Sequence, residues 1–471
     1  MSSDGDARKK STAGHAERAA TQPRPYAACS LAAELSSRGS RAVAHDVTGP
    51  GWPRGRLAVV TGGGSGIGRE LVYQLAAAGC SVATCDLDPV SLAETEAHAV
   101  ATRTHDAVIT AHRCDVTDEP SVARFRDELC ARHSTDHVDL LFNNAGMLGA
   151  GSFLVDDRAE WERVFDVCWG GVYTCCRVFI PLLIASDRAY LINMSSVMGF
   201  WASRGGEAPA TAYGAAKFAV KGLTEGLIDD FRINAPHVTA AVVMPGSVAT
   251  NISANSGRLL AGARSGDSAR GKPHDVRATL ATYGVPLIGS LGEEALSAVL
   301  AEVVRLDNEM APTTAAQAAA TILRDLDAGR WRILVGDDAR RLDAAVRAHP
   351  DDAYSPGGPA LQSAWLPAVL TIGGYLAIAR DPGISATIAL RQGPDTIAVS
   401  VAEGRVSALS GLQAPPPDVI VEGEPAAMLA LLAGGESSGT VRGPAPLLVI
   451  DGDAGRFEQV LAAIRRACGA G

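Results

Sequence analysis

The chain has 471 residues, 47% of them hydrophobic and 20% charged, and a formal net charge of −10 at pH 7. That length exceeds one ordinary core and calls for two or three folded units, while the acidic balance, with no basic stripe, argues against a nucleic-acid partner. Nine scattered cysteines without CxxC pairs or His-rich spacing give no metal signature, and with no secretion signal they point to reduced thiols in a cytoplasmic protein.

Residues 1–53 are rich in Ala, Ser, Arg and Gly and lack an apolar period, which predicts a disordered tail. An organelle-type targeting segment is the alternative, diluted by Asp4, Asp6 and Glu17. From Arg56 short apolar runs alternate with helical segments. Leu57–Val60, Ser81–Cys85, Ala107–Thr110, Val138–Phe142, Tyr190–Met194 and Val238–Val243 each predict a strand buried on both faces. Ile67, Leu71, Leu75 and Ala78 form a helical stripe that stops at Gly79, a C-cap signal. A helix over Ala315–Leu326 and a strand over Arg332–Val335 complete the pattern. Such alternation predicts the α/β class, a doubly wound parallel sheet spanning residues 54–350.

Residues 351–362 have the composition of a linker, Asp-Asp-Ala-Tyr-Ser-Pro-Gly-Gly-Pro at its start. Residues 363–471 predict a second, smaller α+β domain. Ile384–Leu390 and Thr396–Val401 flank a Gly-Pro-Asp turn. Asp418–Val421 leads into a helix over Pro425–Ala433, and Leu447–Ile450 into a helix over Arg456–Arg466. The uncharged run Ala364–Ala379 is too short for a membrane span and is interrupted by Pro367 and Gly373-Gly374, so it reads as a buried or interfacial helix.

Three groups of residues carry chemistry. The turn Thr61-Gly-Gly-Gly-Ser-Gly-Ile-Gly68 joins a strand to a helix, the context in which backbone N–H groups and a helix N-terminus hold a pyrophosphate. Gly62, Gly66 and Gly68, with Ser65 and Ile67 in the same turn, are therefore cofactor candidates. Asp86 closes the second strand, where a carboxylate accepts from ribose hydroxyls and repels a 2′-phosphate. Leu87 beside it supplies no cation, so NAD is favoured over NADP; a helix N-cap is the plainer role for Asp86. Asp115 and the following Val116 stand after the third strand, within reach of an adenine. Tyr213 and Lys217, four residues apart, share one helical face. A fixed ammonium there favours the phenolate and brings it toward a useful acid/base range. Ser196, just past the fifth strand, can hold a substrate oxygen or cap a turn, the latter a job Ser195 can also do.

Taken in order, Thr61-Gly-x-x-x-Gly-x-Gly68, Asn143-Asn-Ala-Gly146, Ser196, Tyr213-x-x-x-Lys217 and Pro245-Gly-Ser-Val-Ala-Thr250 resemble the motif set of short-chain dehydrogenases/reductases over residues 55–350. The resemblance implies a Rossmann-like seven-stranded sheet, usually in a dimer or tetramer. It implies that Asn143 supports the sheet beneath the cofactor, with Asn144 beside it at the cofactor, and that Pro245, Gly246, Val248 and Thr250 hold the nicotinamide end. Ser196, Tyr213 and Lys217 are then catalytic, Lys217 and Tyr213 also touching the cofactor, and Ser196, Met198 and Tyr213 touch the substrate.

Two positions depart from the family pattern. Cys168, in Val-Cys-Trp-Gly-Gly-Val172, stands where the family commonly has an Asn thought to anchor a water relay to the lysine. A thiol bonds more weakly, which puts the relay in doubt. Ser196 and Tyr213 are also further apart than usual, through an insertion at Ser203–Pro209.

Substrate choice falls to Met147–Phe153, Val197–Trp201 and the segment after Thr250. Met147, Leu148, Met198, Phe200 and Trp201 offer apolar surface for a lipophilic alcohol or ketone, with core packing the alternative. Ser253–His274 has little period and predicts a mobile lid. The C-terminal stretch, notably Asp418–Gly434 and Ile450-Asp-Gly-Asp453, is similar to sterol-carrier-protein-like domains, implying either an apolar ligand or a structural, dimer-forming appendage. The expectation is an NAD-dependent oxidoreductase for a secondary alcohol and its ketone, forming homo-oligomers, with no metal. A dinucleotide-sensing or lipid-binding scaffold with little turnover is its rival.

Overall fold

In a computed structural model of the chain, the described residues run from 52 to 467 with internal breaks, the longest at 265–275 and 433–447. The tail expected over residues 1–53 lies outside them except for its end. There Trp52 and Pro53 already pack inward: the Trp52 ring meets Tyr190 edge-on at 6.1 Å, and Pro53 is buried.

The first sheet has seven parallel strands: β1 (Leu57–Thr61), β2 (Ser81–Asp86), β3 (Ile109–Arg113), β4 (Leu140–Asn143), β5 (Ala189–Met194), β6 (Val238–Pro245) and, after two short strands described below, β9 (Arg332–Val335). Their order is β3-β2-β1-β4-β5-β6-β9. Strands 1, 4, 5 and 6 are buried along nearly their whole length, as a sheet covered on both faces requires. The third strand begins two residues later than its apolar run, because its first ladder partner is Val82↔Ile109. Strand order reverses between β1 and β4, and at such a switch point the carboxyl ends of the strands open a crevice.

Helices cover both faces. Helix α1 (Gly66–Ala77) buries Leu71, Val72, Leu75 and Ala76 and ends at Gly79 with φ +79°; Ala78 turns to solvent instead of joining the stripe. Helices α2 (Pro89–Thr102) and α3 (Glu119–His133) are each capped by an aspartate side chain. Helices α4 (Arg158–Phe165) and α5 (Gly171–Ala185) are joined by a single π turn, Asp166–Gly170. That continuous run, Arg158–Ala185, is long and apolar enough to cross a membrane, yet 56% of its most apolar window is buried inside the protein, as in a core helix. Helix α6 (Thr211–Asn234) carries Tyr213 and Lys217.

After β6 come β7 (Val248–Ala249), α7 (Ile252–Arg264), α8 (Glu293–Met310), β8 (Thr313–Thr314), α9 (Ala315–Asp327), then β9 and α10 (Asp337–Ala348). The lid expected over Ser253–His274 is helical in its first half, and the rest lies outside the described residues. The expected linker begins structured: the Trp201 indole N–H donates to the Ala353 carbonyl at 2.7 Å, and the Ala202 N–H to the Tyr354 hydroxyl at 2.9 Å.

The second sheet, ordered β12-β11-β10-β13-β14, is formed by β10 (Ala386–Gln392), β11 (Asp395–Ala402), β12 (Arg405–Ser410), β13 (Val419–Glu422) and β14 (Val449–Gly452). It is antiparallel except where β10 meets β13. Helices α11 (Leu366–Ala379), α12 (Pro425–Leu432) and α13 (Ala454–Ala467) cover it. Helix α11 runs through Pro367 and Gly373-Gly374, which do not interrupt it. Pro367 is its second residue, where no N–H is needed. Both glycines are contact points: a Cβ on Gly373 would stand 2.1 Å from Leu306, and one on Gly374 2.9 Å from Val299. Leu306 and Val299 belong to α8. That helix precedes β9 in the chain, yet it shares the core of the second sheet through Leu296, Val299, Leu300, Val303 and Leu306.

Candidate active site

A cleft of about 1300 Å³ opens at the carboxyl ends of β1, β4, β5 and β6. Its floor is the glycine turn. Gly62 and Gly66 have φ of +69° and +54°, conformations only glycine adopts cheaply. Gly68 is not on the cleft surface. A Cβ there would stand 2.2 Å from the Gly62 carbonyl oxygen and 2.4 Å from the Asn144 amide, so its role is to let helix and turn close-pack. Asn144 braces the same turn, its side-chain amide donating to the Thr61 carbonyl at 2.9 Å. The Thr61 hydroxyl in turn accepts the Asn144 and Ala145 N–H groups at 3.0 Å each. Asn143 lies one layer deeper and donates to Asn193 at 2.8 Å, which donates on to Thr224 at 2.9 Å. Asn193 and Thr224 were not singled out from the sequence; a polar residue inside the apolar strand Tyr190–Met194 was the available signal.

Asp86 accepts the Gly64 N–H at 2.9 Å and the Asp88 N–H at 3.2 Å, which holds its carboxylate beside the glycine turn. Arg69, which no sequence motif marks, lines the same end of the cleft. Its guanidinium is committed to the Gly64 and Ser91 carbonyls at 2.9 and 3.2 Å and to Glu94. Asp115 bonds locally to the Thr117 N–H and hydroxyl, while Val116 stands at the cleft wall with Gly171 packed behind it.

At the other end, Ser196, Tyr213 and Lys217 line the cleft together. Lys217 is 3% exposed, its ammonium donates to the Met194 carbonyl at 2.7 Å, and it stands 5.4 Å from the centre of the Tyr213 ring. Burial lowers its pKa below the ordinary lysine value, and Cys168 opposes that shift. Ser196 does act as a cap, accepting the Met198 N–H at 3.2 Å, while Ser195 donates to the Lys217 carbonyl at 2.8 Å. One accepted bond still leaves the Ser196 hydroxyl hydrogen to donate into the cleft. Cys168 lies in the π turn and answers both main-chain groups of Met147: its thiol donates to the carbonyl at 3.2 Å and accepts the N–H at 3.5 Å.

Pro245, Gly246, Val248 and Thr250 also line the cleft. Thr250 packs on Gly66, 3.2 Å from where a Cβ would be. Buried Asp338, another residue missed in the sequence, anchors this turn by accepting the Ser247 N–H at 2.7 Å. Helix α7 closes over the turn: Asn255 donates to Ser65 at 3.1 Å, and the Leu148 N–H donates to Ser256 at 2.8 Å. Of the apolar residues expected at the substrate, Leu148 and Met198 line the cleft; Met147, Phe200 and Trp201 do not. Met147 and Trp201 are core side chains at 0% and 2% exposure, so packing claimed them. Of the insertion at Ser203–Pro209, residues 204–208 lie outside the described residues.

These residues fit a nicotinamide dinucleotide: a turn with no room for side chains at its base, a carboxylate at its ribose end, and a buried cation beside a phenol at the other. The comparisons agree. A family model described as short chain dehydrogenase matches residues 56–259. A Mycobacterium tuberculosis protein, SadH, assigned as an oxidoreductase, is 31% identical over 293 residues, 62% of this chain and 90% of that protein. A 2-dehydro-3-deoxy-L-rhamnonate dehydrogenase (NAD(+)) from a Sphingomonas species is 34% identical over 37% of this chain and 65% of its own. The crystal structure of a short chain dehydrogenase/reductase from Burkholderia phymatum in complex with NAD superposes with a TM-score of 0.51 at 26% identity, covering 64% of this chain and 94% of that one.

Proposed function

The chain belongs to the short-chain dehydrogenase/reductase family of oxidoreductases, which act on CH–OH donors with a nicotinamide dinucleotide, and from that premise we propose that it interconverts a secondary alcohol and its ketone with NAD. The observation that carries this reading is the buried Lys217 ammonium beside the Tyr213 ring, on the same cleft as Ser196. The cofactor, when bound, supplies the hydride acceptor or donor. Ser196 donates a hydrogen bond to the substrate oxygen and orients it. Tyr213 takes the hydroxyl proton in oxidation and returns it in reduction. Lys217 favours the Tyr213 phenolate through its fixed charge, while the Met194 carbonyl holds the ammonium in place. Cys168 holds Met147, and with it the chain after Asn144, where an asparagine commonly stands.

NAD is favoured over NADP by the Asp86 carboxylate beside the glycine turn and by the engagement of Arg69 with other partners. An Asp86→Ser variant is expected to lower the preference for NAD over NADP in kcat/KM by about tenfold or more, an effect of at least ~1.4 kcal/mol. The substrate is a lipophilic alcohol, a reading supported by Leu148, Met198 and Leu260 on the cleft. The C-terminal unit is a sterol-carrier-protein-like domain in this reading, and the protein a cytoplasmic homo-oligomer. Initial rates of NAD reduction with steroids, acyl alcohols and simple secondary alcohols test the proposal. Turnover with at least one class supports it. NAD binding without turnover across the panel favours a dinucleotide-sensing scaffold.

A further inference from the structure

The cleft does not end at the nicotinamide-side residues. Tyr283, Asp307, Ala311, Leu366 and Leu370 line it as well, and all of them come from the chain that packs with the second sheet. Tyr283, Leu366 and Leu370 belong to that sheet's hydrophobic core. Asp307 is on α8, whose apolar face is part of the same core, and Ala311 follows it directly. The connection to the first sheet is short: two residues after α8, β8 pairs with β7 in register Val248↔Thr313 and Ala249↔Thr314. Strand β7 runs straight into Thr250. Helix α8, which shares the core of the second sheet, is thus joined through β8 to the strand at the cofactor end of the site.

We propose that the C-terminal unit, together with α8 and Tyr283, which share its core, forms the far wall of the substrate site, so that the apolar tail of the substrate alcohol lies against Leu366, Ala311 and Tyr283. The proposal deepens the oxidoreductase reading and rests on it. Three observations support that occupant. The space is continuous with the cleft that holds Tyr213 and Ser196. At about 1300 Å³ it exceeds the ~300–1000 Å³ of a single small-ligand pocket, as a cofactor and a long substrate lying end to end require. The wall residues that α11 contributes are leucines, and Leu366 keeps 9% of its surface exposed, suiting a hydrocarbon chain.

The test compares Ala311→Phe and Leu366→Trp with the parent on sec-butyl alcohol and a secondary dodecyl alcohol. NAD affinity and melting temperature are measured alongside to establish that each variant is folded. Ala311 lies outside helix and strand, so its variant remains informative if Leu366→Trp does not fold. The expected result is a fall of about tenfold or more in the ratio of kcat/KM for the long over the short alcohol, since filling an apolar pocket discriminates on that scale. An unchanged ratio in folded Ala311→Phe protein overturns the inference and leaves the oxidoreductase reading standing. If neither alcohol is oxidised and the steroids and acyl alcohols are also inert, it is that reading which fails; in either case the wall is then tested by calorimetric titration of dodecyl methyl ketone into the NAD-loaded protein. Binding by the parent that Ala311→Phe weakens about tenfold supports the wall. No binding by the parent, or equal binding by both, overturns it.

Discussion

At the scale of single residues, the proposed chemistry turns on Lys217. Its position four residues after Tyr213 was legible from helical periodicity alone; its burial and its bond to the Met194 carbonyl were not, since both depend on β5 and the chain after Gly146 closing around it. Burial makes a prediction about pH. The folded-state pKa of Lys217 lies below the ordinary 10.5, so between the two values the unfolded chain binds a proton that the folded chain has shed. Stability therefore rises with pH across that window, and the full cost of burying the charge is present below it. Urea midpoints measured from neutral pH to about 10 should climb for the parent relative to Lys217→Met, and parallel curves would count against a buried, pKa-lowered lysine. Ser196 shows the limit of reading residues one at a time. Sequence offered substrate positioning or turn capping as alternatives, and the structure has the capping bond in place with a donor still free.

At the scale of elements, the glycine turn was legible because its strand–turn–helix context is written in the local pattern. The division of labour within it was not. Gly62 and Gly66 are needed for their positive φ, whereas Gly68 is needed because backbone and an asparagine amide occupy the space a methyl would take. Gly68→Ala is accordingly expected to weaken NAD binding by about tenfold or more, the scale of a displaced first helical turn at a phosphate site, as read by fluorescence titration. Unchanged affinity would contradict the packing argument. Met147 and Trp201 were candidates for the substrate surface by composition, and packing took both into the core. Periodicity identifies an apolar side chain, but only the tertiary contacts decide which cavity it faces. The same holds for α11, where Gly373-Gly374 resembled a break in isolation and are the close-approach points for α8.

At the scale of the whole molecule, both sheets were foreseeable from local patterning apart from β12 (Arg405–Ser410), an edge strand that no expected run covered, and their interlock was not. Helix α8 precedes β9 in the chain but lends Leu296, Val299, Leu300, Val303 and Leu306 to the core of the second sheet. No sequence motif marks that long-range exchange. At roughly 1.5–3 kcal/mol per buried aliphatic side chain, those five contribute on the order of 10 kcal/mol, comparable with the ~5–15 kcal/mol stability of an entire domain. A chain truncated after Pro350 should therefore aggregate or lose its cooperative melting transition. A soluble, active truncated enzyme would show that the C-terminal unit is a separable appendage. The central claim, that Tyr213 moves the proton in a hydride-transfer reaction, is tested most directly by Tyr213→Phe. NADH formation with the best alcohol of the panel should fall by about 10²–10⁴-fold, the usual share of a positioned acid/base, with NAD affinity unchanged. Turnover within a few-fold of the parent would contradict it.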